Sequence, residues 1–137
     1  MKLERFIKAQ ESSYETALKE IRCGRKRSHW MWYIFPQIKG LGYSSTAQYY
    51  AIQSREEAEQ YMKHPILAKR LIEISEALLK CESNDASEIF GYPDDMKLKS
   101  SITLFALVSD NTVFKEVLNK FFGGEMDGKT IQLLKDN

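Results

Sequence analysis

Proline, cysteine and long apolar runs are scarce in this sequence, and an excess charge of either sign is missing. The 137 residues include 3 prolines and 2 cysteines, and 20 Lys and Arg residues balance 19 Asp and Glu residues, which leaves a net charge of +1. Proteins that coat nucleic acid carry a broad basic excess, so we expect no extended nucleic-acid surface. No apolar run approaches the roughly 20 residues that span a bilayer, and we expect no membrane partner.

The cysteine and histidine spacing argues against a metal centre. Cys23 and Cys81 lie far apart without a CxxC motif, which is typical of reduced, buried thiols in a cytoplasmic protein. The side chains best able to bind zinc belong to Cys23, His29, His64 and Cys81, but no two of these residues have the short spacing of structural sites, so we predict no metal. The sequence also lacks the GxSxG motif of serine-hydrolase nucleophile elbows, and it lacks the nucleotide-binding motifs GxGxxG and GxxxxGK[ST]. We therefore predict no cofactor.

What the sequence does contain is one helical segment after another. Apolar residues make up 43% of the chain, enough for a sizeable core, and we predict a single domain over residues 1–137. In the first segment, helical spacing and a glycine stop predict one long helix, or two with a joint near Ser12 and Ser13. The residues that carry this pattern are Leu3, Ile7, Tyr14, Leu18, Ile21 and Gly24.

Capping signals predict further helix boundaries along the chain. Ser54 and Glu57 have capping-box spacing, Pro65 suits either a stop or a first helical position, and Asp127 is a plausible cap. The run DDMKLKSSITLFALV predicts a helix from about Pro93, and because it contains β-branched residues a β-strand is the alternative. The fold class is therefore mainly α, a compact single-domain bundle of six to eight helices.

The stretch RKRSHWMWYIFPQIKGLG, from Arg25 to Gly42, places cations directly beside aromatic rings. Its cations follow a predicted helix stop at Gly24, so they lie on a connection and can face an anion. Trp and Tyr rings line pockets for ring-containing ligands, and neighbouring Arg and Lys side chains hold phosphate. This pairing predicts a small-molecule, nucleotide-like ligand. The alternative is that Trp30, Trp32 and Phe35 are core residues while the cations face solvent.

A second polar segment is IFGYPDDMKLKSS, residues 89–101. Asp94 and Asp95 stand at a predicted helix N-terminus, where unpaired amides and the helix dipole stabilise carboxylates. We expect one of these two aspartates to cap the helix, and we assign no structural role to the other. Lys97 and Ser100 add hydrogen-bonding groups to a helix that also has an apolar stripe, and some of these groups are expected to line a polar cavity.

Four motifs together resemble the bacterial family catalogued as domain of unknown function 1810. They are GRKRSHWMWYIFPQIKGLG, AQYYAI, EIFGYPDDMKLKSSITLF and FFGGEMDGKT, and their order and spacing cover essentially the whole chain. The resemblance implies a mainly helical cytoplasmic protein of this length, in a family without an established activity.

The order of YIFPQIKGLG, AQYYAI, PILAKRL and LLKCESNDASEIFG is also similar to the NADAR superfamily, named for NAD and ADP-ribose. That similarity implies a NADAR-like arrangement of helices and cleavage of an N-glycosidic bond. In that superfamily an acidic residue stands just before the Tyr-Tyr pair, whereas this chain has Ala47 and Gln48 there. Either another acid, such as Asp94 or Asp95, has taken over, or the domain binds without cleaving.

Two function classes follow, with a structural role for both motifs as a third reading. The first is a hydrolase acting on an N-glycosidic bond of a nucleotide or ADP-ribose-type ligand; the second is a non-catalytic module that binds a nucleotide or a protein partner, as a monomer or homodimer. For the hydrolase we assign catalysis to Asp94, Asp95 and Lys97. Ligand binding is assigned to Arg25, Lys26, Arg27, His29, Trp30, Trp32, Gln37 and Ser100.

Overall fold

Ten α-helices make up the part of the chain that the computed structural model describes, residues 2–136. They are α1 Glu4–Glu11, α2 Tyr14–Arg22, α3 Met31–Ile34, α4 Ser45–Tyr50, α5 Arg55–Lys63, α6 Pro65–Leu79, α7 Ala86–Phe90, α8 Asp94–Val108, α9 Val113–Phe122 and α10 Gly128–Lys135. The mainly α class is confirmed. The helix count exceeds six to eight because α3, α4 and α7 have only 4, 6 and 5 residues, too few to show a helical period.

Side-chain caps fix several of the boundaries that the sequence predicts. The Ser54 hydroxyl accepts from Glu57 N at 3.2 Å, and an Asp127 carboxylate oxygen accepts from Thr130 N at 3.0 Å. Pro65 is the first residue of α6, and the preceding His64 caps that helix because its Nδ1 accepts from Ile66 N at 3.2 Å. These contacts satisfy amides that the helix itself leaves unpaired.

Helix α8 is the centre of the core. From Leu98 to Ala106 nearly every side chain is buried, since α5, α7, α9 and α10 all pack against this helix. Burial on all sides replaces the one-sided stripe that the sequence suggests, and the segment is helical despite its β-branched residues. Met96, by contrast, is 47% exposed, because it lies in the first turn of α8 before the helix enters the core.

An extended segment after α3 carries the β-type pairing that the structure shows within residues 2–136. Ile38 and Ile52 form an isolated parallel bridge, in which Ile52 N donates to Gln37 O and Lys39 N donates to Ile52 O, each at 2.8 Å. This pairing places the loop of residues 37–43 beside α4. No helix in the described range is both long enough and apolar enough to cross a membrane.

The two cysteines differ from the predicted buried thiols. Cys23 is exposed, because it caps the C-terminus of α2 at the surface, and Cys81 is half-buried. Burial raises the pKa of the Cys81 thiol, and the nearby Lys120 ammonium opposes that rise. Both cysteines are free thiols, as the sequence predicts.

Candidate functional site

A single carboxylate fixes the connection that carries the cations. Helix α2 ends at Arg22, and Gly24 just beyond it adopts a positive φ of 79°. Glu20, in the last turns of α2, accepts hydrogen bonds from the segment that follows this glycine. Glu20 Oε1 accepts from Arg27 N at 2.8 Å, from Ser28 N at 3.0 Å and from Trp30 Nε1 at 2.9 Å, while Oε2 accepts from Ser28 Oγ at 2.6 Å. The connection is therefore a rigid part of the fold.

The hydrogen bonds that the Glu20 carboxylate accepts also determine its pKa. Burial acts to raise the pKa of the carboxyl, but the hydrogen bonds from Ser28, Arg27 and Trp30 outweigh burial and lower the pKa to about 2. Hydrogen bonds donated to a carboxylate favour its charged form. In the folded protein, Glu20 is therefore ionised at neutral pH.

The connection that Glu20 holds by hydrogen bonds places Lys26 beside the start of α8. Lys26 N donates to Ile89 O at 2.7 Å, and its ammonium lies 3.0 Å from Asp94 Oδ2 and donates to Ser28 O at 2.6 Å. On the other side of the same carboxylate, Lys97 Nζ lies 3.6 Å from Asp94 Oδ1. We call Lys26, Asp94 and Lys97 the lysine–aspartate cluster.

The two lysines of the cluster differ in access to solvent. The Lys26 side chain is only 8% exposed, whereas that of Lys97 is 28% exposed. The Lys26 ammonium also makes a cation–π contact with Trp30, 5.0 Å from the ring centroid. Lys26 therefore holds the Asp94 carboxylate in place, and Lys97 is the cation with room to reach a ligand.

Asp94 and Asp95 have different surroundings. Asp95 Oδ1 accepts from Met96 N at 2.8 Å, so this carboxylate satisfies an amide of the first turn of α8. Asp94 instead lies between the two lysines. The prediction that one aspartate caps the helix is wrong, because the N-cap residue of α8 is Pro93 and no side chain within residues 2–136 caps this helix.

Trp32 joins the lysine–aspartate cluster to a cleft. Lys97 Nζ lies 5.7 Å from the Trp32 ring centroid, within range of a cation–π contact. The half-buried Trp32 also lines a narrow cavity of about 10 Å³, room for about one water molecule, where the other lining residues are Gln37, Ile38, Gly42, Ala47, Tyr50 and Ala51.

A larger, open depression adjoins this cavity between the loop of residues 37–43 and α4, and Gly42 and Ala51 line both spaces. The open depression has a volume of about 390 Å³ and is lined by Lys39, Gly40, Gly42, Tyr43, Gln48, Ala51 and Gln53. We call the cavity and the open depression together the Trp32 cleft. Small-molecule sites in proteins typically have volumes of about 300–1,000 Å³. Tyr43 stands at the mouth with 80% of its surface exposed.

Gly42 permits the close approach that shapes this cleft. A Cβ atom added at Gly42 would lie 2.5 Å from the Cβ of Ala47. The carbonyl end of α4 is held by Arg5, which donates to Tyr49 O and Ala51 O at 2.8 Å each and pairs with Glu57 at 2.9 Å. Both walls of the cleft are therefore fixed by the surrounding structure.

The structure brings together some of the predicted site residues and separates others. The two motif segments meet through Lys26, Asp94, Lys97 and Trp32, with Gln37 in the adjoining cleft. Trp30 is 1% exposed and packs edge-on against Phe90, so it is a core residue, as the alternative reading expected. Arg25, Arg27 and His29 have exposed side chains without a described contact to the cluster, and the Ser100 hydroxyl is turned inward to Met96 O at 3.1 Å.

Several residues of the site are not among those predicted. Lys39, Tyr43, Gln48, Tyr50 and Gln53 line the cleft, and the signal that could have found them is the pair of glycines in IKGLG next to the Tyr-Tyr motif. Glu20 had no such signal, because a glutamate in an amphipathic helix is ordinarily solvated.

The structure thus defines a small all-helical domain with an aromatic cleft beside a lysine–aspartate cluster. The chain belongs to the family described as protein of unknown function (DUF1810), whose model matches residues 1–134. A crystal structure of the conserved hypothetical protein Rv1873 from Mycobacterium tuberculosis is similar, with a TM-score of 0.95, 46% sequence identity and coverage of 97% of this chain and 96% of that one. No curated protein matches this chain.

Proposed function

We propose that the Trp32 cleft binds a small nucleotide-like ligand. The observation that carries this proposal is the open depression of about 390 Å³, which shares Gly42 and Ala51 with the narrow cavity that Trp32 lines beside the Lys97 ammonium. A ligand in the open depression would have an aromatic side chain, Tyr43, at its mouth and the cation of Lys39 for its phosphate.

The ligand class follows from the cleft and from the NADAR resemblance. Aromatic side chains bind flat heterocycles through their faces, and Lys binds phosphate as a point charge. The open depression is large enough for a mononucleotide, and its mouth would leave room for a further group such as the second half of an ADP-ribose. A nucleotide or ADP-ribose-type molecule meets all of these conditions.

Cleavage of an N-glycosidic bond is the second candidate, favoured by the position of Asp94. In this reaction the bond from the sugar C1′ to the base nitrogen breaks, water oxygen bonds to C1′, and a water proton passes to the departing base. A carboxylate beside the sugar stabilises the oxocarbenium-like transition state. Asp94 lies between two lysines, one of which is 5.7 Å from the Trp32 ring centroid, and suits this role better than Asp95, whose carboxylate bonds a helix amide.

A thermal-shift series with separation of released base tests both candidates. The panel contains AMP, NAD, ADP-ribose and ribose 5-phosphate, and a ligand that binds the folded state raises the melting temperature. We expect a shift with at least one nucleotide, lost in Tyr43→Ala and in Lys39→Met but kept in Lys115→Met, whose lysine is exposed on α9.

If base is released, Asp94→Asn should abolish release while ligand binding remains, and Asp95→Asn should retain release. Stabilisation without release leaves binding as the function. No shift with any member of the panel, or a shift unaffected by Tyr43→Ala and Lys39→Met, would overturn the proposal. Circular dichroism of each variant separates loss of binding from loss of folding.

A further inference from the structure

Both cysteines of the chain line one surface depression away from the Trp32 cleft. Cys23 is the C-cap residue of α2, and Cys81 follows Lys80, the C-cap residue of α6. The depression between these two helix ends has a volume of about 420 Å³, and Cys23 and Cys81 are both among the residues that line it. We call it the cysteine depression. Because α2 and α6 pack against each other, the fold brings two thiols that are distant in sequence to one place on the surface.

A single carbonyl oxygen connects the two cysteines. Cys81 Sγ donates to Ile21 O at 3.3 Å, and the same oxygen accepts from Gly24 N at 2.8 Å. Gly24 directly follows Cys23, so the Cys81 sulfur lies against the turn that carries Cys23. The space at this turn is open, since a Cβ atom added at Gly24 would meet no atom within 4 Å.

The two thiols differ in their access to solvent. Cys81 is half-buried, and its sulfur also lies 3.6 Å from Ala77 O, to which it donates. Cys23 is exposed, and no group within residues 2–136 is hydrogen-bonded to its thiol. A molecule that enters the cysteine depression from solution therefore meets Cys23 first, with Cys81 behind it.

Basic side chains outnumber acidic ones around the cysteine depression. Arg22 and Lys80 line it with exposed side chains, and Glu82 is the one acid among the described lining residues. Neither Arg22 nor Lys80 takes part in an ion pair within residues 2–136. The ammonium of Lys120 adds a further positive charge, because it donates to Cys81 O at 2.6 Å. Exposed thiols in electropositive surroundings are the reactive ones in proteins, and these cations would attract a ligand that carries carboxylates.

We infer that the cysteine depression is a thiol–disulfide exchange site for anionic low-molecular-weight disulfides, in which Cys23 attacks the disulfide and Cys81 resolves the product. The inference goes beyond the proposed function and does not depend on nucleotide binding.

The exchange has two steps, and each begins with a thiolate that has released its proton to solvent. In the first step, the Cys23 thiolate attacks one sulfur of the small disulfide, whose sulfur–sulfur bond breaks. One small thiolate leaves and takes up a proton, and the other half stays on Cys23 as a mixed disulfide. In the second step, the Cys81 thiolate attacks the Cys23 sulfur and expels the remaining small thiolate, which is also protonated. The small disulfide is thereby reduced to two thiols, and the two protein thiols are oxidised to a Cys23–Cys81 disulfide.

Intact-mass spectrometry of the reduced full chain, followed over time with excess glutathione disulfide, tests both steps. The wild type should lose two hydrogens and release two glutathione molecules per chain. Cys81→Ala should stop at one glutathione bound to Cys23, because no thiol remains to expel it. Cys23→Ala should stay unmodified over the time in which Cys81→Ala is converted. The stoichiometry of glutathione release by the wild type decides the second step even where a variant fails to fold.

A second disulfide tests the role of the basic side chains. Glutathione disulfide carries carboxylates, whereas bis(2-hydroxyethyl) disulfide is uncharged. Lys80→Gln should slow the first step with glutathione disulfide by about 2- to 5-fold, the size of an exposed charge interaction, and leave the rate with the uncharged disulfide unchanged. Lys129→Gln, which removes an exposed cation of α10, is the matched control and should change neither rate.

Three results would overturn the inference. A wild-type chain that keeps its glutathione adduct as Cys81→Ala does would show that Cys81 does not resolve it. Modification of Cys23→Ala as fast as that of Cys81→Ala would show that Cys23 is not the attacking thiol. Disulfide-linked dimers in place of the internal disulfide would show that the two cysteines do not act within one chain. None of these results bears on nucleotide binding in the Trp32 cleft, so the two proposals fail or stand separately.

Discussion

Glu20 connects a single residue to the pH dependence of stability. Its pKa is lowered from 4.5 to about 2 in the folded protein, so between these values the unfolded chain binds more protons than the folded one. The stabilisation is therefore complete above about pH 4.5 and is lost as the pH falls toward 2. A shift of this size corresponds to on the order of 3 kcal/mol.

We expect Glu20→Gln to lower the free energy of unfolding at pH 7 by about 2–3 kcal/mol, since an amide nitrogen would face donors and the charge would be lost. The fall in stability between pH 5 and pH 3 should also become smaller than in the wild type. Urea unfolding at several pH values measures both effects, with Glu76→Gln, an exposed site on α6, as the control. A variant with the wild-type pH slope would contradict this account of Glu20.

Two hydroxyls on α8 should respond in opposite directions when they are removed. The buried Ser101 hydroxyl has no hydrogen-bond partner in the described part of the chain, whereas Thr103 Oγ1 accepts from Asp127 N at 2.9 Å. An unpaired buried hydroxyl destabilises the folded state, and a paired one stabilises it by about 1 kcal/mol. We expect Ser101→Ala to leave the free energy of unfolding unchanged or raise it, and Thr103→Val to lower it by about 1–2 kcal/mol.

The two variants can be compared by thermal unfolding under one set of conditions. The shared helix and the similar burial make each the control of the other. A loss of stability in Ser101→Ala as large as that in Thr103→Val would show that the Ser101 hydroxyl has a partner in solution.

Residues whose partners are close in sequence were the ones that could be predicted. Ser54 and Asp127 each bond an amide three residues ahead, so their capping roles follow from local pattern alone. Glu20 bonds groups seven to ten residues away across a glycine turn, and the direction of that turn is not encoded in any periodic pattern. The placement of Trp30 inside the core and Trp32 at its edge likewise depends on how one helical turn, α3, is oriented.

At the scale of elements, the contact between the loop of residues 37–43 and α4 shapes the cleft. We expect Gly42→Ala to push this loop away from the helix, because the added methyl would overlap the Ala47 side chain at 2.5 Å. Stability should fall by about 1–3 kcal/mol, and ligand-induced stabilisation should weaken. Thermal unfolding with and without ligand measures both quantities.

A double variant makes this prediction specific to the contact. Ala47→Gly removes the methyl that Gly42→Ala would meet, so the two changes together should be less damaging than the sum of the single changes after the cost of a helical glycine is counted. Gly128→Ala adds a methyl where no atom lies within 4 Å and should be nearly neutral. Additive effects of the two cleft substitutions would contradict the proposed overlap.

The long elements could be read from the sequence and the short ones could not. Helix α6 has 15 residues and an apolar face that repeats over several turns, while α3 and α7 are single turns stabilised by their neighbours. The cleft depends on α4 and on the isolated Ile38–Ile52 bridge, both too short to leave a pattern. The residues of the site could therefore be predicted in part, but its shape could not.

For the whole molecule, one continuous core predicts one cooperative unfolding transition. Buried residues from α1 through α10 belong to a single hydrophobic cluster, to which α4 adds the partly buried Tyr50. The Arg5–Glu57 ion pair, with side chains only 7% and 10% exposed, further ties the first helix to α5. We expect helix content and tryptophan fluorescence to report the same urea midpoint, as in two-state domains of this size.

The two tryptophans allow a strict test, because Trp30 is buried in the core and Trp32 stands at the cleft. Trp32→Phe leaves Trp30 as the fluorophore, and its transition should still coincide with loss of helix measured by circular dichroism. A helix signal that falls before the Trp30 signal would show that part of the chain unfolds separately. The single-domain prediction would then fail, because the shared core would be too weak to couple the helices around α8 to those around the cleft.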